Sequence, residues 1–334
     1  MMTTGQLNKI VELLREAQTV LLFPHVQIDG DAFGSSLALC GALRNQGKQV
    51  YVLMEEGIPH NLSFLCGEFY EEDCRKYCVE QIELEQAPDL CLAIDCSDRS
   101  RLESRTEVFF RGKNTACVDH HVTHEPFADY SYVDTGAAAT GEIVYDLLQL
   151  LEIEIDKMTA EAIYVAIATD TGNFQYSNTR KETHLAIAGL FDRGINHNAI
   201  SVNLYQNIRP EKVKLTGIAL ARMEFFCDGK ACITMLSQED FQKSGAFFNE
   251  SEGIVEQLRN IQGVEIAIVL KEDQGKVKVG MRSKQEANVA KISTGFGGGG
   301  HERAAGCTIA GTLLEARAKI KEAASEELLR ISQK

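Results

Sequence analysis

The chain has 334 residues, of which 44% are hydrophobic and 25% charged; that length exceeds one typical core and fits two domains. Its net charge of −14 repels a long phosphate backbone and argues against tight binding along duplex nucleic acid. A small phosphorylated substrate is not excluded, because a local metal cluster reverses the field where it matters.

Leu7, Ile10, Val11 and Leu14 recur at helical spacing and predict an amphipathic opening helix. The stretch around it lacks the apolar core of a signal peptide, and no window reaches the roughly 20 apolar residues of a spanning helix. A cytoplasmic protein without membrane attachment is expected. Residues 19–23 read as a buried strand, followed by HVQIDGDAFGSS and a helix through Leu37, Leu39 and Leu43. Residues 49–53, 90–94 and 115–118 read as further strands, and residues 140–151 and 159–168 as helices. Strands alternating with helices imply a parallel sheet with helices on both faces. Ten cysteines without a CxxC pair fit reduced, buried thiols, with a zinc site or a disulfide framework as the alternative; Cys74 and Cys78 have the spacing of one helical face.

Helical segments from about residue 182 to 223 carry the connection to a region of different texture. There, residues 224–226 and 230–235 predict a hairpin around Asp228-Gly229, and residues 265–270 and 276–281 another around Gln274-Gly275. Helices are expected near residues 253–260, 287–292 and 313–329. The fold class expected is therefore α/β in two domains: a parallel-sheet N-terminal domain and a smaller C-terminal α/β domain with a mixed or antiparallel sheet.

Three apolar runs lead directly into acidic or imidazole residues. Residues 19–23 lead to His25, Asp29 and Asp31; residues 90–94 to Asp95; residues 115–118 to Asp119, His120 and His121. In parallel sheets ligands bind outside the carboxyl ends of the strands, so these groups would converge on one edge. Carboxylate oxygen and imidazole nitrogen suit manganese, magnesium or ferrous iron. Gly30 is expected to let the backbone turn so that both flanking aspartates face inward. A helix cap is the alternative for Asp29 and Asp31, and a terminal turn for Asp170. Adjacent histidines point in different directions, so one can bind metal while the other faces substrate. A carboxylate beside a metal-bound histidine can orient its ring. Further along, Gly295-Phe296-Gly297-Gly298-Gly299-Gly300-His301 reads as a loop whose backbone N–H groups can approach an anion. Arg282, at a predicted strand end, could clamp a phosphate or be a solvated charge.

Taken together, these motifs resemble the DHH phosphoesterase family, in the branch with the DHH-associated C-terminal domain. His25-x3-Asp29-Gly30-Asp31-Ala32, Asp95, Asp119-His120-His121 and Asp170 match its N-terminal motifs in order; Gly297–Gly300 with His301-x2-Ala304-Ala305-Gly306 matches its C-terminal hallmark. Two positions depart from the usual pattern: Ile28 stands where proline is frequent, and His124 where asparagine is common.

The resemblance implies a catalytic domain over residues 1–195, a helical connection over 196–224 and a substrate-binding domain over 225–334, with the active site in the cleft between them. It implies two divalent ions, usually manganese, with magnesium the alternative. His25, Asp29 and Asp95 would hold one; Asp31, Asp95, His120 and Asp170 the other. His121 would contact the scissile phosphate or assist the leaving group, and Asp119 would support a neighbouring histidine. Gly298, Gly299, Gly300, His301 and Arg282 would grip the far end of the substrate. The expected reaction is hydrolysis of short oligonucleotides to mononucleotides, or of 3′-phosphoadenosine 5′-phosphate to AMP and phosphate. Cleavage of a cyclic dinucleotide or its linear product, and an inactive nucleotide sensor, are the alternatives. Long duplexes and membranes are not expected partners, and a homodimer is left open.

Overall fold

The computed structural model describes residues 4–66, 74–84 and 86–333. The chain divides into two compact units, Met1–Asn207 and Ile208–Lys334.

The first unit is built on six strands: β1 (Thr19–Pro24), β2 (Gln49–Leu53), β3 (Cys78–Val79), β4 (Leu90–Ile94), β5 (Thr115–Asp119) and β6 (Tyr130–Val133). They lie in the order β3-β2-β1-β4-β5-β6, and every pair is parallel. Strand order runs outward in both directions from β1 and β4, which makes their junction the topological switch point where ligands bind in such sheets. β4 and β5 are buried along their whole length, as central parallel strands covered on both faces must be, so β4 reads as an unbroken apolar run and β5 nearly so.

Among the described residues seven α-helices accompany this sheet: α1 (Thr4–Glu16), α2 (Gly30–Asn45), α3 (Thr106–Phe109), α4 (Thr140–Leu150), α5 (Lys157–Asp170), α6 (Lys181–Phe191) and α7 (His197–Ser201). Val20, Leu22, Leu92, Ile94 and Val118 pack with residues of α1, α2, α4 and α5 in the main core. The alternate residues Leu21, Phe23, Ala93 and Cys117 face the other way, against Leu102 and Phe109. Helices were expected on both faces. The second face is instead covered by the 3₁₀ segment Arg99–Arg105 and the single turn of α3, whose Phe109 ring meets Phe23 edge to face at 5.2 Å between centroids.

Gly30 does not serve as a turn residue. It opens α2, where a Cβ would overlap the side chain of Thr169 on α5; one turn later a Cβ at Gly34 would overlap the carbonyl oxygen of Ala162. The missing side chains let the two helices approach closely, and that approach sets Asp31 on α2 near Asp170 at the end of α5.

The second unit contains α8 (Pro210–Ala221), β7 (Glu224–Phe226), β8 (Ala231–Leu236), α9 (Gln238–Ser244), α10 (Ile254–Arg259), β9 (Ile266–Asp273), β10 (Lys276–Ser283), α11 (Val289–Thr294), β11 (Gly299–His301), β12 (Ala304–Ala310) and α12 (Leu313–Ser332). The strand order is β11-β12-β10-β9-β8-β7. β8 and β9 are parallel and the other neighbours antiparallel, so the sheet is mixed. Both expected hairpins are present. The glycine run, read from sequence as a loop, ends in β11, paired to β12.

Among the described residues eight cysteines are free thiols, while Cys66 is disulfide-bonded, a departure from the reduced thiols expected. Cys74 opens a short 3₁₀ turn and Cys78 begins β3, so they share no helical face. Among the described residues no helix is long and apolar enough to cross a membrane.

The α2–α5 approach gives a direct test. Gly34→Ala pushes a methyl group into backbone that cannot rotate away, an overpacking cost of about 1–3 kcal/mol. Urea denaturation should show a lower midpoint with an unchanged slope.

Candidate metal centre

Each acidic motif sits where an element of the first unit ends or begins. His25 follows β1; its Nδ1 lies 2.7 Å from the carbonyl oxygen of Val26, which directs Nε2 the other way. Nε2 is 3.5 Å from Asp29 Oδ2 and 3.5 Å from Asp95 Oδ2. Asp29 caps α2: its Oδ1 accepts from the backbone N–H groups of Asp31 and Ala32 at 3.1 and 3.0 Å. Helix cap and metal ligand were alternatives in the sequence. Here one oxygen caps while the other turns toward His25, so the two roles are compatible.

Asp31, in the first turn of α2, is buried. Its Oδ2 accepts from the backbone N–H of Thr140 at 2.7 Å, and its Oδ1 from Gly141 N–H and Ser35 Oγ, both at 2.9 Å. Asp95 follows β4 with φ of +60°, a left-handed backbone that aspartate tolerates better than most residues and that often marks a functional constraint. Its Oδ1 lies 3.5 Å from His120 Nε2 and accepts from Thr140 Oγ1 at 2.9 Å. Asp170 is the last residue of α5, and its Oδ2 also lies 3.5 Å from His120 Nε2.

These positions form two donor groups, His25–Asp29–Asp95 and Asp31–His120–Asp170, each with its donor atoms within 4.8 Å of one another. Asp95 joins them, one oxygen toward each. The recurring 3.5 Å separations are too long for good hydrogen bonds. An ion with bonds of about 2.1 Å holds neighbouring donors roughly 3.0–3.4 Å apart, so the spacing and the oxygen–nitrogen donor set both fit divalent cations.

Asp119, the last residue of β5, is fully buried. Its Oδ1 accepts from His121 Nδ1 at 2.7 Å and its Oδ2 from His124 Nδ1 at 2.8 Å. Both oxygens are therefore committed to imidazoles. His124, the departure from the family pattern, becomes a second brace for Asp119. Asp95, His120 and His121 also cluster, but His121 Nδ1 already donates to Asp119, which argues against that atom as a ligand. The rings of His120 and His121 sit at 67° to each other, so the adjacent histidines do face differently.

Charge and burial perturb these groups strongly. Burial pushes His25 down, but Asp29 and Asp95 overcome it and leave its pKa well raised. Burial likewise lowers His121, yet the hydrogen bond to Asp119 and the charges of Asp95 and Asp119 bring it up to about 9. Burial raises Asp170 to about 7, against the pull of His120. Burial and the neighbouring Asp95 and Asp170 also raise Asp31. Asp95 stays low despite burial, because three histidines surround it.

In the second unit the register places Arg282 beside Ala304 and Ala304 beside His301, so these residues share one face of the sheet. Gly299 and Gly280 on that face would meet nothing with an added Cβ. Gly298 and Gly300 differ: a Cβ there would overlap Gly306 O and Ala304 O respectively, so internal packing accounts for those two glycines. Arg282 Nε donates to Glu256 Oε1 at 2.9 Å, so its guanidinium is already held by a carboxylate on α10. Gly280 here, and Ser35, Thr140 and Gly141 in the first unit, were not among the site residues expected from the sequence. Thr140-Gly141 at a helix start was the available signal; nothing in the sequence tied it to Asp31.

A family model described as "DHH family, N-terminal domain" matches residues 19–167, and one described as "DHHA1 domain" matches residues 228–329. The bifunctional oligoribonuclease and PAP phosphatase NrnA of Thermus thermophilus is 31% identical over 97% of this chain and 95% of that protein. The chain belongs to the DHH family. The DHH relative of the same description from Bacillus subtilis is 25% identical over 90% of this chain and 93% of its own. Among solved structures, an exopolyphosphatase-related protein from Bacteroides fragilis superposes with a TM-score of 0.87 at 25% identity, covering 97% of this chain and 96% of that one.

As metal ligands His25 and Asp170 would have to lose their protons, so their raised pKa values predict proton-linked cation uptake. Calorimetry in buffers of different ionisation enthalpy should show proton release on Mn²⁺ addition at pH 7. Apparent affinity should fall steadily below the Asp170 pKa of about 7.

Proposed function

We propose that this DHH-family phosphoester hydrolase uses two divalent ions, manganese foremost, to cut short oligonucleotides into mononucleotides and to convert 3′-phosphoadenosine 5′-phosphate into AMP and phosphate. The observation that carries this reading is Asp95, whose two oxygens face two separate donor groups. His25 and Asp29 would complete one ion's ligands, and Asp31, His120 and Asp170 the other's. The substrate class follows the description of the relatives, which match along nearly the whole chain.

Two divalent ions, when bound, supply a more acidic water and neutralise charge on the phosphoryl oxygens. The chain's own residues do the rest. A water gives one proton to solvent as its oxygen forms the new bond to phosphorus, the ester P–O bond breaks, and the departing oxygen takes a proton. His121 is the donor of that proton: its pKa of about 9 keeps it charged at neutral pH, and Asp119 fixes its ring. His301, Arg282 and Gly299 share a sheet face suited to the non-reacting end of a short substrate. The net charge of −14 disfavours grip on a longer strand or duplex. A cytoplasmic location fits this substrate class, and a homodimer remains one arm to measure by light scattering.

The test is a panel assay with Mn²⁺: 5′-phosphorylated di- to pentanucleotides, long single strands, 3′-phosphoadenosine 5′-phosphate, cyclic di-AMP and its linear product. Short substrates and the bisphosphate should turn over, and Asp95→Asn should abolish activity together with Mn²⁺ binding. Activity confined to cyclic di-AMP, or an active Asp95→Asn enzyme, would overturn the proposal.

His121→Ala should lower kcat by about 10²–10⁴ with Mn²⁺ binding retained. In the wild type kcat should decline on the alkaline side as His121 loses its proton. That limb should lie at or below pH 9, since bound cations offset the Asp95 charge that helps hold the proton.

A further inference from the structure

The first turn of α4 meets the candidate metal centre at two carboxylates. Thr140 N–H and Gly141 N–H donate to the two oxygens of Asp31, at 2.7 and 2.9 Å, while Thr140 Oγ1 donates to Asp95 Oδ1 at 2.9 Å. Thr140 is fully buried, so its hydroxyl has no solvent to turn to. The turn is itself held in place. Ala138 N–H and Arg180 Nη2 both donate to Glu142 Oε2, at 3.0 and 2.9 Å. Asn178 Nδ2 then bridges the carbonyl oxygens of Ala138 and Asp170, at 2.9 and 3.1 Å.

The hydroxyl bond is one-sided. It reaches Oδ1, the oxygen facing His120, and not Oδ2, the oxygen facing His25. A carboxylate with one hydrogen bond to a rigid donor loses rotation about its Cβ–Cγ bond, and outer partners of this kind commonly carry a large part of a ligand's affinity for metal.

We propose that Thr140 is a positioning residue: its hydroxyl fixes the plane of the Asp95 carboxylate so that the two oxygens serve two different ions, with Oδ1 held for the ion of the Asp31–His120–Asp170 group. The inference rests on the two-ion reading above. Its consequence is asymmetric. Loss of the hydroxyl leaves the backbone donors to Asp31 untouched and should weaken one ion more than the other.

The experiment compares full-length wild type, Thr140→Val, Thr140→Ala and Thr140→Ser by Mn²⁺ titration, with free Mn²⁺ read by electron paramagnetic resonance and folding checked by circular dichroism. Wild type should take up two ions. Thr140→Val keeps the volume and drops the hydroxyl; one ion should bind about 10- to 100-fold more weakly while the other keeps its affinity. Thr140→Ala should behave the same way, and kcat should fall with KM little changed. Thr140→Ser should restore both ions. Two ions at wild-type affinity in Thr140→Val, an equal loss at both ions, or a Thr140→Ser protein as weak as Thr140→Val would overturn the role of the hydroxyl while leaving the two-ion reading intact. A wild-type protein that binds no Mn²⁺ would overturn that reading first, and this inference with it.

Discussion

Crowding of carboxylates at the carboxyl ends of β1, β4 and β5 is the constraint around which the first unit is organised. Asp31 and Asp95 are buried, Asp29 and Asp170 lie beside them, and like charges so close repel strongly in a low-dielectric interior. The fold answers with three kinds of positive partner. Imidazoles of His25, His120 and His121 surround Asp95. Backbone N–H groups at the start of α4 serve Asp31, and those at the start of α2 serve Asp29. Divalent cations, the third partner in the proposed reading, suit the donor set that remains. Asp170 and Asp31 show the residue of unrelieved repulsion and burial: both are shifted upward.

Helix packing makes this crowding achievable. Asp31 and Asp170 come from different helices and can approach only if α2 and α5 do. Gly30 and Gly34 remove the side chains that would hold those helices apart. A second layer fixes orientation. Asp119 spends both oxygens on His121 and His124, so one buried carboxylate sets two rings. Such outer bonds decide which nitrogen of a histidine faces the chemistry.

The second unit solves a different problem. Its sheet packs one side against α11 and α12 and part of the other against α8 and α10. Glycine at 298 and 300 lets β11 close on β12, and glycine at 280 and 299 leaves the outer face low and open. Adjacent glycines of one run, 298, 299 and 300, thus divide between close packing and open space. Only neighbouring strands distinguish them.

Much of this was legible in the sequence for a physical reason. Central parallel strands are buried on both faces, so β4 appears in the chain as an unbroken apolar run and β5 nearly so, each running into its chemistry at Asp95 and at Asp119-His120-His121. The short edge strands β3 and β6 carry no such run, and β11 was hidden in a glycine run whose pairing partner lies on the next strand. The residue types at the centre, carboxylate and imidazole, likewise named the class of ion from the sequence alone. What the sequence could not decide was partnership. That Asp29 both caps and faces His25, that Gly30 serves helix contact instead of a turn, and that Thr140 reaches Asp95 across 45 residues are facts of three-dimensional proximity. Local preference sets which elements form; the carboxylates' partners are chosen only once the sheet and helices have brought distant backbone donors within hydrogen-bonding range.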